Sequence, residues 1–280
     1  MNWRAQDVQE GTSGRLSCDR STVLTCICTD SRRVEPGALF IALLGEHHDG
    51  HNFVAEALKR GATAALVAHP VAGVDPAKLI LVDDTLRALG DLAAWTRRRA
   101  QLRVVAITGS AGKTTTKELT SAICEADPTV HGHVLKTEGN YNNLVGLPLT
   151  LLRLQGDESV AVLEMGMNRP GEIARLTQIA HPDFAVVTNV GKAHLEGVGG
   201  SIEGVAAAKG ELFSGVDEDA VIAVNTDDEW VCRIASPFRG RRILYGSRGE
   251  VQARSIRDFG TDGIAFDLWV NQQTVSVRLR

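Results

Sequence analysis

Four nearly continuous apolar runs constrain the fold of this chain more than any other feature. They are RVVAIT, SVAVLEM, FAVVTNV and AVIAVN, at residues 103–108, 159–165, 184–190 and 220–225. Strands that are buried on both faces have this composition, and helical segments separate the four runs. Strands that alternate with helices are joined by right-handed crossovers in an open, mostly parallel sheet. The sequence therefore predicts an α/β fold.

The two ends of the chain depart from this pattern. Before residue 83, the apolar segments ALFIAL and TAALVA and the amphipathic segment HNFVAEALKR predict a small α/β domain. After about residue 250, alternating segments such as IAFDLWV predict antiparallel strands at the end of the sheet. We therefore expect two domains, at residues 1–83 and 84–280, the second with a mostly parallel sheet.

Composition argues against several classes of function. The 280 residues carry a net charge of −4, with a pI near 6.1, so they have no general attraction to nucleic acid or anionic membranes. The apolar runs are too short to span a membrane, and the first residues lack the apolar stretch of a signal peptide. Five cysteines without zinc-site spacing indicate reduced thiols. We expect a cytoplasmic protein with no nucleic-acid partner and no membrane insertion.

A glycine-rich segment, ITGSAGKTTTKEL at residues 107–119, follows the first apolar run. It lacks the first glycine of the G-x-x-x-x-G-K-[ST] pattern, and its own glycines are Gly109 and Gly112. Loop N–H groups, the amino end of the next helix and Lys113 can still bind phosphate, and Thr114 suits a magnesium ion. A tight strand–helix turn with a solvated lysine is the alternative.

Three ionisable side chains are further candidates, and they lie near the end of a strand, on a loop and on a helix. Glu164 is near the end of a buried strand, where an unpaired carboxylate is costly, so a Mg²⁺ ligand is favoured over a structural ion pair. His194 is on a glycine-rich loop, although a lone histidine is more often structural. Lys209 follows three alanines, which indicates a buried and reactive amine rather than a solvated one.

Two polar loops complete the set of candidates. The segment KTEGNYNNLVGLPLTLLRL carries Thr137, Asn140 and Asn143, which suit either substrate contacts or turns and caps. The segment GEHHDGH, at residues 45–51, concentrates histidines. Zinc is one interpretation, but a surface loop around a ligand is favoured because no distant fourth metal ligand is evident.

Together, these segments resemble the Mur ligase family, the ATP-dependent amide-forming enzymes of peptidoglycan synthesis. TGSxGKTT is the usual phosphate loop of that family. The segments TEGNYNNLVGLPLTLL, EMGMNRPGEI and NVGKAHLEGVGGSIEGVAAAKGELF resemble the branch that adds D-alanyl-D-alanine to UDP-MurNAc-tripeptide. TDSRRVEPGALFIALLGEHHDGHNF resembles the amino-terminal domain that binds the UDP end of the substrate.

The resemblance implies an acyl-phosphate reaction with ATP and Mg²⁺, in which the tripeptide carboxylate is phosphorylated and then attacked by the amine of D-Ala-D-Ala. It assigns ATP to Gly109, Ser110, Ala111, Gly112, Lys113, Thr114 and Thr115. It assigns catalytic roles to Lys113, Glu164, His194 and Lys209. It assigns magnesium to Thr114, Glu164, His194 and Lys209. Thr114 would bind the first ion, and His194 and a carbamylated Lys209 would serve the second. It assigns the substrate to Asp30, Ser31, Arg32, Thr137, Asn140 and Asn143.

The resemblance covers residues 29 to 230. Family members continue into a carboxyl-terminal domain, so we expect this chain alone not to complete ligation, and we expect a monomer. The alternatives are a non-catalytic nucleotide-binding module, a P-loop kinase or NTPase, another Mur-type ligase, and a folylpolyglutamate synthetase relative. The missing first glycine and Lys209 count against the kinase, and GNYNN with AHLEG counts against the last two.

Overall fold

The computed structural model describes residues 3–45, 48–192 and 195–279. His194, one of the predicted metal ligands, and His47 of the histidine-rich segment lie outside the described residues. The described residues form two compact units. The first comprises Met1–Leu102, Thr129–Ser159 and Ile179–His181, and the second comprises Arg103–Pro128, Val160–Gln178 and Pro182–Arg280.

Among the described residues, the first half of the chain contains seven short strands and three α-helices. The strands are β1 (Trp3–Arg4), β2 (Arg15–Leu16), β3 (Val23–Leu24), β4 (Cys26–Cys28), β5 (Ala38–Ile41), β6 (Ala64–Val67) and β7 (Leu79–Leu81). The helices are α1 (Ala5–Thr12), α2 (Val54–Lys59) and α3 (Thr85–Arg99). The division into domains at residue 83 stays a prediction, and α3 belongs to the first compact unit.

A five-stranded sheet forms the centre of the first unit, in the order β2–β7–β6–β5–β4. Strands β4 to β7 are parallel, and β2 pairs with β7 in the antiparallel direction. Every residue of β5 and β6 is buried, as their apolar sequences predict. Phe40, Val54, Ala57, Val67 and Leu79 form part of one core cluster. The parallel arrangement brings the carboxyl ends of β4 and β5 to one edge of the sheet.

The rest of the chain contains nine strands and five helices among the described residues. The strands are β8 (Arg103–Thr108), β9 (Val134–Lys136), β10 (Val160–Glu164), β11 (Phe184–Val187), β12 (Val221–Asn225), β13 (Arg241–Tyr245), β14 (Val251–Asp258), β15 (Ile264–Val270) and β16 (Gln273–Leu279). The helices are α4 (Lys113–Ala126), α5 (Gly146–Leu151), α6 (Glu172–Ala180), α7 (Ile202–Gly215) and α8 (Glu229–Ala235). Within the parts of the chain that the structure describes, no helix is long and apolar enough to cross a membrane.

The strands of the second unit run in the order β16–β15–β14–β13–β12–β11–β8–β10. Those from β10 to β13 are parallel, and β14, β15 and β16 form an antiparallel meander. The predicted mixture of parallel and terminal antiparallel strands is confirmed. The register places Glu164 beside Ile107, and Val187 beside Thr108. The carboxyl ends of β10, β8 and β11 therefore lie side by side, where parallel sheets bind ligands.

Candidate functional site

The predicted phosphate loop lies between β8 and α4, and both of its glycines are needed for its shape. A Cβ atom at Gly109 would collide with the hydroxyl of Thr188. Gly112 has a φ of 78°, in the left-handed region that L-residues with side chains rarely adopt. A loop with two fewer residues between its glycines thus makes the same sharp turn from strand to helix.

The amino end of α4 is open. Its N-cap residue is Gly112, which has no side chain to accept an N–H, whereas Asp84 and Asp228 cap α3 and α8. The first N–H groups of a helix have no intrahelical partner, and the helix dipole makes that end positive. The Nζ of Lys113 lies beside this end, donating to the carbonyl of Gly109 at 2.9 Å. This geometry suits a phosphate group.

Two oxygen-bearing side chains meet next to the loop. The hydroxyl of Thr114 donates to Oε2 of Glu164 at 2.8 Å. Glu164 is the last residue of β10 and only 3% exposed. Hydroxyl and carboxylate oxygens are ligands that Mg²⁺ accepts, together with phosphate oxygens. Thr114 and Glu164 therefore fit the magnesium site that was predicted for them.

Lys209 is buried in α7, as predicted, with 2% of its surface exposed. Burial, and secondarily the positive charge of Lys113, lower the pKa of Lys209 to about 8. The carboxylate of Glu211, on the same helix, accepts the N–H groups of Gly171 and Ala174. Their distances are 2.7 and 3.0 Å, at the start of α6. Both oxygens of Glu211 are thus engaged at the start of α6.

The segment after β4 lines a cavity of about 660 Å³ in the first unit. Asp30, Ser31 and Arg32 lie on its wall, and Phe40 and Phe53 contribute aromatic surface. Nε and Nη2 of Arg32 donate to the two oxygens of Asp30, at 2.9 and 2.8 Å. Hydrogen bonds from Arg32 lower the pKa of Asp30 to about 2. The three predicted residues are therefore together, with the two charged ones already paired.

The asparagine-rich loop belongs to the first unit. Thr137 is buried, and Asn140 is exposed. Oδ1 of Asn143 accepts the N–H groups of Val145 and Gly146, at 3.1 and 2.8 Å, where α5 begins. Asn143 thus has the turn-and-cap role that was the alternative interpretation. The predicted substrate contacts of Thr137, Asn140 and Asn143 remain untested.

The histidine-rich segment is a hydrogen-bonded loop around His51. Nδ1 of His51 is 2.6 Å from Asp49, and its Nε2 accepts the N–H of Ala68 at 2.9 Å. The rings of His51 and His69 stack with centroids 4.2 Å apart. Ligand atoms of Asp49, His51 and His69 lie within 4.8 Å of one another. However, both ring nitrogens of His51 are engaged, so this arrangement does not favour zinc. His48 lines the cavity beside Asp30, and the interpretation of this segment as a loop around a ligand stays a prediction.

Sequence reasoning assigned no role to the residues that directly follow β11. Thr188, Asn189 and Gly191 all hydrogen-bond to Ser110 or Ala111 of the phosphate loop. The available signal was the position of TNVG directly after an apolar run, on the strand that neighbours β8.

Two family models match the chain. The Mur ligase middle domain matches residues 107–280, and the catalytic domain of the Mur ligase family matches residues 23–97. With the phosphate loop, Glu164 and Lys209 in place, the chain belongs to the Mur ligase family.

Individual relatives narrow the comparison. The chain is 47% identical over 209 residues to the UDP-N-acetylmuramoyl-tripeptide--D-alanyl-D-alanine ligase of Escherichia coli (strain K12), covering 74% of this chain and 45% of the relative. It is 44% identical to the enzyme of the same name from Bacillus subtilis (strain 168), covering 90% of this chain and 54% of the relative. The chain spans about half the length of these curated relatives.

Solved structures of the same family have the fold of this chain. A crystal structure of MurF from Acinetobacter baumannii superposes with a TM-score of 0.92 and 35% identity, covering 100% of this chain and 61% of that chain. MurF ligase from Thermotoga maritima, in complex with ADP, superposes with a TM-score of 0.82 and 32% identity. The match covers 90% of this chain and 57% of that chain. The α/β fold is thus shared with these structures.

Proposed function

We propose that this chain belongs to an ATP-dependent ligase that adds D-alanyl-D-alanine to UDP-MurNAc-tripeptide and releases ADP and phosphate. The observation that carries the proposal is the contact between Thr114 and Glu164 beside Lys113, at the open end of α4. The names of the relatives from Escherichia coli and Bacillus subtilis support the choice of substrates.

ATP would bind with its phosphates at the amino end of α4. Lys113 would exchange the carbonyl of Gly109 for phosphate oxygens, which requires only a change of hydrogen-bond partner. Thr114 and Glu164 would hold the magnesium ion, which supplies positive charge that offsets the charge of the phosphates. The complex of the Thermotoga maritima protein with ADP supports an adenine nucleotide as the ligand.

The reaction would proceed in two displacements. An oxygen of the tripeptide carboxylate attacks the γ-phosphorus of ATP, the bond to the ADP oxygen breaks, and an acyl phosphate forms. The amine of D-Ala-D-Ala then attacks the acyl carbon, phosphate leaves, and the nitrogen loses a proton. Lys113 stabilises charge on the transferring group, which is the main way proteins accelerate phosphoryl transfer.

The cavity beside Asp30, Ser31 and Arg32 would hold the uridine diphosphate end of the substrate. A guanidinium group matches the geometry of a diphosphate, and the aromatic rings of Phe40 and Phe53 offer apolar surface to a base. Thr137, Asn140 and Asn143 would contact the substrate elsewhere. Asn143 also accepts two N–H groups where α5 begins.

Lys209 would act as a carbamate. Its neutral amine adds to the carbon of CO₂, an N–C bond forms, and one proton is released. The lowered pKa supports this step because it makes the neutral amine accessible near neutral pH. The product carries carboxylate-type oxygens, so Lys209, together with His194 and Glu164, would contribute to magnesium binding.

We further propose that the ligase works in the cytoplasm as a monomer. All five cysteines are free, in keeping with a reducing compartment. The assignment to the cytoplasm rests on cysteine chemistry and on the UDP-linked substrate, and the monomeric state stays a prediction.

A phosphate-release assay on the full product of the encoding gene tests the proposal. ATP, D-Ala-D-Ala and either the lysine or the diaminopimelate form of UDP-MurNAc-tripeptide are supplied, and each is omitted in turn. We expect phosphate release that depends on all three substrates, with ligated product seen by mass spectrometry. Phosphate release that does not depend on either peptide substrate would instead favour a plain NTPase. Tight ATP binding without phosphate release would favour a nucleotide-binding module.

A further inference from the structure

The phosphate loop is held in place by a segment remote from it in sequence, Thr188–Gly191. The N–H of Ser110 donates to the carbonyl of Asn189 at 3.0 Å. The hydroxyl of Ser110 accepts the N–H of Gly191 at 2.8 Å and lies 3.2 Å from that residue's carbonyl. The hydroxyl of Thr188 donates to the carbonyl of Ala111 at 2.6 Å. The two residues between the loop glycines are thus both fixed from outside.

The side chain of Asn189 makes the most specific of these contacts. Its Oδ1 accepts the N–H of Ala111 at 2.9 Å, and its Nδ2 donates to the carbonyl of Ala111 at 3.1 Å. One side chain therefore satisfies both backbone groups of one loop residue. A carboxamide carries a donor and an acceptor on one planar group, whereas a carboxylate only accepts and a hydroxyl has a single oxygen.

This contact divides the N–H groups of the loop into two sets. The N–H of Ala111 is already engaged by Asn189. Those of Gly112 to Thr115 are at the open amino end of α4, where intrahelical partners begin only with Thr116, which donates to Gly112. A bound phosphate would thus be held by the second set, with Ala111 acting as a fixed support.

We propose that Asn189 is a positioning residue for the nucleotide: by binding both backbone groups of Ala111, it fixes the phosphate loop in its binding shape before the nucleotide arrives. Preorganised donors raise affinity because the ordering of the loop does not have to accompany binding. The inference rests on the proposed function in that it takes the loop ligand to be a nucleotide, and it adds a residue that contacts the loop rather than the nucleotide.

The first experiment uses the chain without nucleotide, so that it tests the contact itself. Amide hydrogen exchange is followed by NMR in wild type, Asn189→Ala and Asn189→Asp. The alanine variant retains the main-chain contact to Ser110 and the hydroxyl contact from Thr188. We expect exchange at the exposed residue Ala111 to accelerate about tenfold in Asn189→Ala, and less in Asn189→Asp, which keeps the acceptor. An unprotected Ala111 in wild type would overturn the inference.

The second experiment measures the affinity of the same chain for ADP and AMP by calorimetry. Asn52→Ala is the matched control, since Asn52 is exposed and lies in the first unit. We expect Asn189→Ala to lower the affinity for ADP about tenfold. Its affinity for AMP should stay within about twofold of wild type, because AMP has fewer phosphates for the loop to hold. Equal losses for both ligands, or no loss for ADP, would contradict a positioning role.

The two experiments separate this inference from the proposed function. If wild type binds no ADP, the proposed nucleotide site is wrong. The role of Asn189 in binding is then wrong as well, whatever the exchange data show. If wild type binds ADP while Asn189→Ala leaves both ADP affinity and Ala111 exchange unchanged, the proposed function stands and this inference is overturned. In the ADP complex, we also expect the amide signals of Gly112 to Thr115 to shift more than that of Ala111.

Discussion

Each compact unit presents a candidate ligand-binding loop after a parallel strand, and the two loops are stabilised in opposite ways. The phosphate loop is held by partners outside it, and the helix that follows begins without a side-chain cap. The turn after β4 is held from within: Asp30 accepts the N–H of Arg32 and pairs with its guanidinium. The phosphate loop leaves its binding groups open to a ligand, whereas the binding groups of the turn after β4 are paired with each other.

The difference concerns what a ligand must displace. A phosphate at α4 would displace one hydrogen bond, between Lys113 and Gly109. A diphosphate at Arg32 would compete with a carboxylate that already binds the same guanidinium. That ion pair is solvent-exposed, so it is weak and sensitive to salt. We therefore expect the first loop to bind its ligand with the larger contribution per residue.

The largest effect is expected at Lys113. Lys113→Ala removes the charged donor at the open helix end and should weaken ADP binding about 100-fold. Calorimetry on the 280-residue chain measures this, with Lys59→Ala as the control for loss of an exposed lysine elsewhere. If Lys113→Ala bound ADP like the control, the open end of α4 would not be the phosphate site, and the comparison between the loops would fail.

A pH-dependent effect is expected at Lys209. Because burial lowers its pKa to about 8, the neutral amine becomes populated at lower pH than for an exposed lysine. A carbamate signal from ¹³C-bicarbonate should therefore rise between about pH 7 and about pH 9 in NMR spectra of the chain. It should be absent from Lys209→Ala.

The same variant also tests function in the full gene product. Lys209→Ala should lose ligase activity by at least roughly tenfold, as expected when a metal site loses a supporting group. Acetate should restore part of that activity by supplying a carboxylate in the vacated space. Full activity in Lys209→Ala would show that the second unit needs no anion at this position.

A smaller effect is expected at Arg32. Arg32→Ala should weaken binding of UDP to the chain about tenfold, and Arg32→Lys should recover only part of it because an ammonium lacks the bidentate geometry. NMR titration at two salt concentrations measures this, with Arg20→Ala as the control. Raising the salt should reduce the difference between wild type and variant, since the group is exposed. A loss that does not depend on salt would show that the cavity shields Arg32 more than its exposure indicates.

The smallest effect is expected at Glu211, which accepts two hydrogen bonds at the start of α6. Glu211→Ala leaves two N–H groups at the start of α6 without their carboxylate, and should lower the free energy of unfolding by about 1 kcal/mol. Its affinity for ADP should stay within about twofold of wild type. A large loss of ADP affinity would mean that external support of this site extends well beyond Asn189.

Much of the sheet was predictable, because buried parallel strands have a distinctive composition. The run at residues 103–108 is β8, and the run at 159–165 contains β10. The run at 184–190, by contrast, forms a strand only as far as Val187. Thr188 and Asn189 leave the strand to contact the phosphate loop, and an apolar run does not reveal which of its residues pair with a neighbouring strand.

The candidate site was predictable where the chemistry is local in sequence. The phosphate loop, Thr114 and Lys113 are contiguous, so one segment indicates their role. Asn189 is 78 residues from Ala111, and its contact is with backbone atoms that every residue has. The position of TNVG after an apolar run points to the segment, but it does not specify which backbone atoms Asn189 binds. The pairing of Asp30 with Arg32 is local, but spacing alone does not say whether two opposite charges will bind each other or a ligand.

Asn189 contacts backbone atoms of Ala111, so this contact does not depend on the side chain at position 111. That side chain is a single exposed methyl group, one residue before the open end of α4. The position could therefore carry a reporter. An environment-sensitive dye on Ala111→Cys would lie next to the arriving phosphates while the loop keeps its shape, and the five native cysteines are only partly exposed. The loop would then serve as a fluorescent sensor for nucleotide occupancy and for compounds that compete with it.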